Sequence, residues 1–251
     1  MRRVFRAALD AAVQQNLDQR QAGANKKHAA GALVAVDEWK SARQSAQLRS
    51  VLGTLHRMMG DRRRCMYCLD SHGTDIEHFW PKTPYPARIF VWPNLLLCCA
   101  ECGRIKGDRF PLSVAGEPML VDPTAEDPWR HLDFDPATGN IVARFNTDAN
   151  DWSANGLKTV EVLQLDRREA LAVGYARTYR RLSALVERHL QDGLDNAAAF
   201  VASLQETDDH GLLGWCVMGT GGGMPPFSDL RVRHPAVWTA CVNAVQAALH
   251  A

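Results

Sequence analysis

No apolar run in these 251 residues is long enough to cross a bilayer; stretches such as Val91 to Ala100 fall far short of the required length. No signal-peptide core is present either, because Leu9-Asp10-Ala11 interrupts the run after the charged opening Met1-Arg-Arg-Val-Phe-Arg. A cytoplasmic location is therefore expected. An excess of one charge is also missing, with a formal net charge of +1. Internal repeats are absent, and Gly219–Gly223 is the one low-complexity segment. What remains is an ordinary globular composition, 46% hydrophobic and 23% charged, sufficient to bury a core.

The near-neutral total conceals segregation. Residues 1–111 carry 18 Lys/Arg against 10 Asp/Glu, a net of +8, whereas the rest carry 11 against 18, a net of −7. A basic half suits an anionic ligand bound on one side only.

Seven cysteines in a cytoplasmic chain call for metal binding or core packing rather than a disulfide framework. Four are paired, as Cys65-x-x-Cys68 and Cys99-x-x-Cys102. Two such turns present four thiolates to one tetrahedral ion, so a structural zinc is expected on Cys65, Cys68, Cys99 and Cys102. Cys98 adjoins this set; Cys99 keeps the two-residue gap and is taken as the ligand. Cys216 and Cys241 lie in apolar helical contexts and read as core.

Helical periodicity covers residues 1–20 and roughly Ala32–Met59, separated by the looser Gln21–Asn25, with Gly60-Asp61 as a stop. Prolines at 81, 84, 86, 93 and 111 indicate turns and short strands between the knuckles. Residues 118–123 read as extended, and a turn at 135–140 leads into the strand-like Ile141–Phe145. Helices return from Leu157, with Asp166 a candidate cap, and continue near 193–205 and 235–249.

The 30 residues between the knuckles leave room for a functional insert. It contains Asp75-Ile-Glu77-His78-Phe-Trp-Pro81-Lys82 and Trp92-Pro-Asn94-Leu-Leu-Leu, and Cys102 is followed by Gly103-Arg104-Ile-Lys106-Gly107-Asp108-Arg109-Phe-Pro111. His78 can act as a general base, since an imidazole with a pKa of about 6.5 is largely neutral at working pH. Arg62, Arg63, Arg64, Lys82, Arg104, Lys106 and Arg109 can contact phosphates, and part of this charge also offsets four thiolates on zinc.

An acidic residue and His ending a strand, an Asn-Leu turn, then Cys-x-x-Cys opening a basic helix resembles the HNH endonuclease family. More narrowly, it resembles the HNH nucleases of Septu and retron-associated antiphage systems. The motifs cover residues 65–111, with looser likeness to about residue 182. The resemblance implies a mainly α protein with a small α+β insert, a ββα-metal (HNH) finger stabilised by a four-cysteine zinc knuckle and flanked by helices. Its divisions would be a helical region 1–60, the finger 61–115, and a hairpin with further helices over 116–251. It implies metal-dependent hydrolysis of DNA, with Glu77 reaching a catalytic Mg²⁺ or Mn²⁺, Asn94 holding the His78 loop, and a companion ATPase subunit. The chain departs from the family at Gly103, where a His or Asn ligand is usual. Water, Asp108, Asp75 or substrate oxygens would complete the metal shell, or catalysis is weakened. The alternative is a non-catalytic, zinc-stabilised nucleic-acid-binding subunit acting with a partner protein. Gly219–Gly223 lacks the Lys-Ser/Thr of a phosphate loop and reads as a flexible connector. Trp129, Trp152, Trp215 and Trp238 read as packing residues. His28, His56, His72, His131, His189, His210, His234 and His250 show no partner pattern.

Overall fold

The computed structural model describes residues 1–193 and 196–248, so His250 and the end of the helix expected to residue 249 lie outside the described residues. Among these residues no helix is long and apolar enough to cross a membrane. The chain divides into two compact units, Arg6–Tyr67 with Ser71–Pro118, and Met1–Phe5 with Cys68–Asp70 and Met119–Ala251.

The first unit opens with helices α1 (Ala11–Ala29), α2 (Ala35–Ala42) and α3 (Ala46–Met58). Helix α1 starts later than the periodicity suggests, because Asp10 accepts from Ala12 N at 2.9 Å and sets the N-terminus there. It runs straight through Gln21–Asn25, where Gln21 and Ala24 are buried on its inner face. The run from Ala32 to Met59 splits into two helices because Ser45 caps α3, accepting from Leu48 N at 3.3 Å. Strands β1 (Asp75–His78) and β2 (Leu95–Cys98) then pair antiparallel, with Asp75 opposite Cys98 and His78 opposite Leu95. Every residue of β2 is buried, and the short helix α4 (Ala100–Lys106) follows directly.

The second unit carries the expected hairpin, β3 (Leu132–Phe134) with β4 (Ile141–Ala143), and a smaller one, β5 (Phe145–Asn146) with β6 (Asp151–Trp152). Its helices are α5 (Ala154–Leu163), α6 (Glu169–Asp192), α7 (Ala197–Thr207), α8 (Leu212–Met218), α9 (Phe227–Arg233) and α10 (Pro235–Ala248). Residues 118–123 form no strand. They are tied down individually, Val121 N donating to Thr159 Oγ1 at 2.9 Å. Asp166 does not cap α6, whose first turn has no side-chain cap.

Gly219–Gly223 is not a flexible connector. Residues Thr220–Gly223 form a 3₁₀ turn with Gly221 and Gly222 buried. A Cβ on Gly221 would come within 2.5 Å of the Trp215 ring, so the glycine is there to let backbone lie on an indole. Trp129 and Trp215 are core residues as expected, whereas Trp152 is half exposed beside Phe145. Among the described residues, three of these histidines have side-chain hydrogen-bond partners. His210 bonds Thr178 Oγ1 at 2.7 Å and Asp70 at 3.1 Å, His131 bonds Ser153 and Glu126, and His56 bonds the Gly73 carbonyl.

Candidate functional site

The sulfurs of Cys65, Cys68, Cys99 and Cys102 all lie within 4.8 Å of one another, and all four residues are buried. Tetrahedral thiolates at about 2.3 Å from zinc stand roughly 3.8 Å apart, so the cluster fits that ion and needs little closure to hold it. Local backbone explains the convergence. Leu69, just beyond the first pair, adopts a left-handed φ of 54° that turns the chain, and Cys65 N donates to Ser71 O at 2.9 Å. At the second pair, Cys99 is the N-cap of α4 and its sulfur accepts from Cys102 N at 3.4 Å. Backbone amides facing thiolates in this way stabilise their charge.

Cys98 is outside the set. Its thiol donates to the Cys99 carbonyl at 3.3 Å and lies 3.9 Å from the Cys65 sulfur. The Cys65 contact, then the Cys99 bond and burial, push this thiol well above the usual range. It is a protonated neighbour of the cluster, packed on β2.

Strand alternation sends Glu77 and His78 to opposite faces of β1. His78 is 3% exposed, and its ring stands edge-on to Trp39 with centroids 4.4 Å apart. Its Nε2 lies 3.0 Å from the Ile89 carbonyl. A carbonyl only accepts, so Nε2 carries the proton and Nδ1 the lone pair. Burial, reinforced by the charge of Lys82, lowers the imidazole pKa to about 3, with the Ile89 bond opposing. The ring is firmly neutral.

Asn94 holds the segment that follows. Its Oδ1 accepts from Trp80 N at 2.7 Å, and its Nδ2 donates to Trp80 O at 3.1 Å and Arg88 O at 2.8 Å. Gln21 of α1 adds a second tie, accepting from Phe90 N at 2.8 Å and donating to Pro86 O at 3.0 Å. Nothing in the sequence singles out Trp39 beyond its place on a helix, and Gln21 falls in the stretch read as a break between helices; their roles depend on which loop each helix meets.

On the other face, Glu77 Oε1 accepts from Lys106 Nζ at 2.9 Å. Lys106 also donates to the His78 carbonyl at 2.8 Å, and its side chain is fully buried. Desolvation raises the Glu77 pKa, and the Lys106 charge opposes the rise. Lys106, grouped above with phosphate-contacting cations, is thus an internal counter-ion. The aliphatic stem reaches from the end of α4 into the hairpin, leaving the ammonium no path to solvent. Arg62, Arg63, Arg104 and Arg109 are exposed, and Arg64 and Lys82 are half-buried. Lys82 is near enough to shift both Glu77 and His78.

Gly103 faces Glu77. A Cβ there would sit 3.5 Å from Glu77 Oε2 and 3.8 Å from Cys98 Sγ. The carboxylate oxygen not engaged by Lys106 therefore looks over the space that this glycine leaves. One carboxylate with room beside it fits Mg²⁺, which commonly takes one or two carboxylates and completes its shell with water and phosphate oxygens. Asp108 is close enough to raise the Glu77 pKa, whereas Asp75 is exposed and accepts from Thr74 Oγ1 at 2.8 Å.

No protein-family model matches the chain. It is 31% identical over 113 residues to Septu protein PtuB of Bacillus thuringiensis, covering 43% of this chain and 38% of that protein. It is 29% identical over 150 residues to Septu protein PtuB of Bacillus mycoides strain KBAB4, covering 48% of each. The chain thus spans less than half the length of these curated relatives.

Proposed function

We propose that the chain is an HNH-type nuclease of a Septu-like antiphage defence system, hydrolysing DNA phosphodiester bonds together with a companion ATPase subunit. The observation that carries this reading is the pairing of Glu77 and His78 at the end of a hairpin strand whose partner strand runs into the four-cysteine cluster. The strand, strand and helix order of β1, β2 and α4 supports a ββα-metal finger, and the relatives named Septu protein PtuB support the defence role.

In this reading His78 Nδ1 takes a proton from the attacking water, which forms the new bond to phosphorus. The bond to the 3′-oxygen breaks, leaving 5′-phosphate and 3′-hydroxyl ends. Glu77 Oε2 would hold the Mg²⁺ or Mn²⁺ ion, which supplies Lewis-acid stabilisation of the leaving oxygen. Lys106 offsets part of the desolvation of the carboxylate and aims it, and Asn94 fixes the segment after His78. Because Trp39 shelters the imidazole, water and substrate must enter beside that indole. Arg62, Arg63, Arg104 and Arg109 supply sequence-independent phosphate contacts.

A second reading, a non-catalytic zinc-stabilised nucleic-acid-binding subunit, is favoured by one observation: Gly103 gives Glu77 no companion ligand. Plasmid incubated with the chain, with and without its companion, separates the two. The nuclease reading requires nicking or linearisation that depends on Mg²⁺ or Mn²⁺ and leaves 5′-phosphate ends. Salt-sensitive binding with no cleavage under either ion would support the second reading instead.

A further inference from the structure

Ile76 and His78 share one face of β1, and on that face the first unit holds a cleft of about 340 Å³. Its walls are apolar, formed by Trp39, Leu48, Leu52 and Ile76. Its rim is polar, lined by Arg43 and Gln44 of the α2–α3 connection, Arg49 of α3, and Thr74 and Asp75. The Trp39 indole is common to both places, walling the cleft and standing 4.4 Å from the His78 ring. Arg43 is exposed and forms no side-chain hydrogen bond or ion pair with any described residue. Arg49 donates to the Gln44 carbonyl, which orders it at the same rim.

The chemistry of this lining narrows the ligand. A bare anion would have no use for an indole and three aliphatic side chains, and Asp75 would repel it. An apolar molecule would have no use for two guanidinium groups. A nucleotide matches both parts: its phosphate pairs with guanidinium forks, and its base packs on an aromatic and aliphatic wall. A carboxylate at the rim can accept from the exocyclic amino group of cytosine or adenine. The volume is at the lower end of small-molecule sites, suited to one nucleotide. A base still paired in a duplex cannot enter such a slot; it must be single-stranded or turned out of the stack.

We propose that this cleft seats one unpaired nucleotide of the substrate strand, its phosphate on Arg43 and Arg49 and its base against Trp39 and Leu52. This rests on the reading of the chain as a nucleic-acid enzyme and adds its substrate form: a strand is held unpaired, one indole away from His78.

The test is binding of short fluorescein-labelled oligo-dC, oligo-dT and a duplex of mixed sequence, by anisotropy, to the zinc-loaded chain without added Mg²⁺. The single strands bind at least about tenfold tighter than the duplex, with dC ahead of dT. Changing both Arg43→Ala and Arg49→Ala weakens single strands about tenfold and leaves the duplex within about twofold. Asp75→Asn removes the dC preference. All three positions are exposed, so these variants are expected to fold; Gln44→Trp, which fills the cleft from its rim, gives an independent block. Duplex bound as tightly as single strands, or single-strand affinity unchanged in both the double variant and Gln44→Trp, overturns the proposal. The two readings fail separately. Single-strand binding lost on these changes in a chain that never cuts DNA upholds the cleft against the nuclease. Cleavage with no strand preference does the reverse.

Discussion

Lys106 and Glu77 form an ion pair in which the ammonium is fully buried and donates at 2.9 Å to a carboxylate that keeps 19% of its side-chain surface exposed. The arrangement makes Lys106 a latch between α4 and the hairpin, and it divides the two Glu77 oxygens between a structural partner and the open side. Removing one member of a buried pair strands the other, at a cost of about 3–5 kcal/mol. Lys106→Met should lower the urea midpoint accordingly. Combining it with Glu77→Gln should cost less than the sum of the single changes, because neither charge is then left alone. Additive losses would mean that the pair is not coupled.

Gly103 leaves space where a ligand could be installed. A Cβ at Gly103 would make ordinary contact with Glu77 Oε2 at 3.5 Å, so Gly103→Asn and Gly103→His would bring a ligand atom beside that carboxylate. Each should tighten Mn²⁺ binding, read by electron paramagnetic resonance, by about tenfold or more, with zinc content unchanged. Equal Mn²⁺ affinity in all three proteins would place the divalent ion away from Glu77.

His78 should make the fold acid-sensitive. Its folded pKa of about 3 lies below the unfolded value of about 6.5. Between those values the unfolded chain binds the extra proton, so stability is retained above pH 6.5 and falls as pH drops through the window. The slope reaches about 1.4 kcal/mol per pH unit. Buried His189, whose pKa is also lowered by burial and by His234, adds with the same sign. Urea midpoints of wild type and His78→Leu between pH 7 and 5 should diverge, with the variant less steep. Parallel curves would contradict the buried neutral imidazole.

The zinc knuckle should behave as part of the fold. Cys99→Ser or Cys102→Ser should abolish binding of one zinc per chain and unfold residues around β2 and α4, seen as lost amide protection. Cys98→Ala should retain the zinc, because its sulfur donates to a carbonyl rather than joining the four. Loss of zinc from Cys98→Ala would reassign the ligand.

The sequence disclosed the parts governed by short-range chemistry. Cysteine spacing indicated the four-sulfur cluster, and the turn at 135–140 indicated β4, whereas its partner β3 at Leu132–Phe134 carried no strand signal. Gly60 marked the end of the α3 region. Local capping shifted other boundaries by competing with periodicity: Asp10 delays α1, and Ser45 divides the second helical run. Tertiary placement was the least legible. Lys106 lies in the same basic run as its exposed neighbours Arg104 and Arg109, and only its direction from α4 makes it internal. The glycines at 219–223 are a packing surface for Trp215, which composition alone cannot distinguish from a linker. The burial of His78 behind Trp39 likewise follows from α2 meeting β1, a contact without a sequence motif.

The nuclease assignment is tested most directly by cleavage of plasmid in Mg²⁺ by wild type and His78→Ala, with zinc measured on both preparations. If His78 is the general base, the variant loses about 10²–10⁴-fold in rate at unchanged zinc content. Cleavage by His78→Ala at the wild-type rate would contradict it.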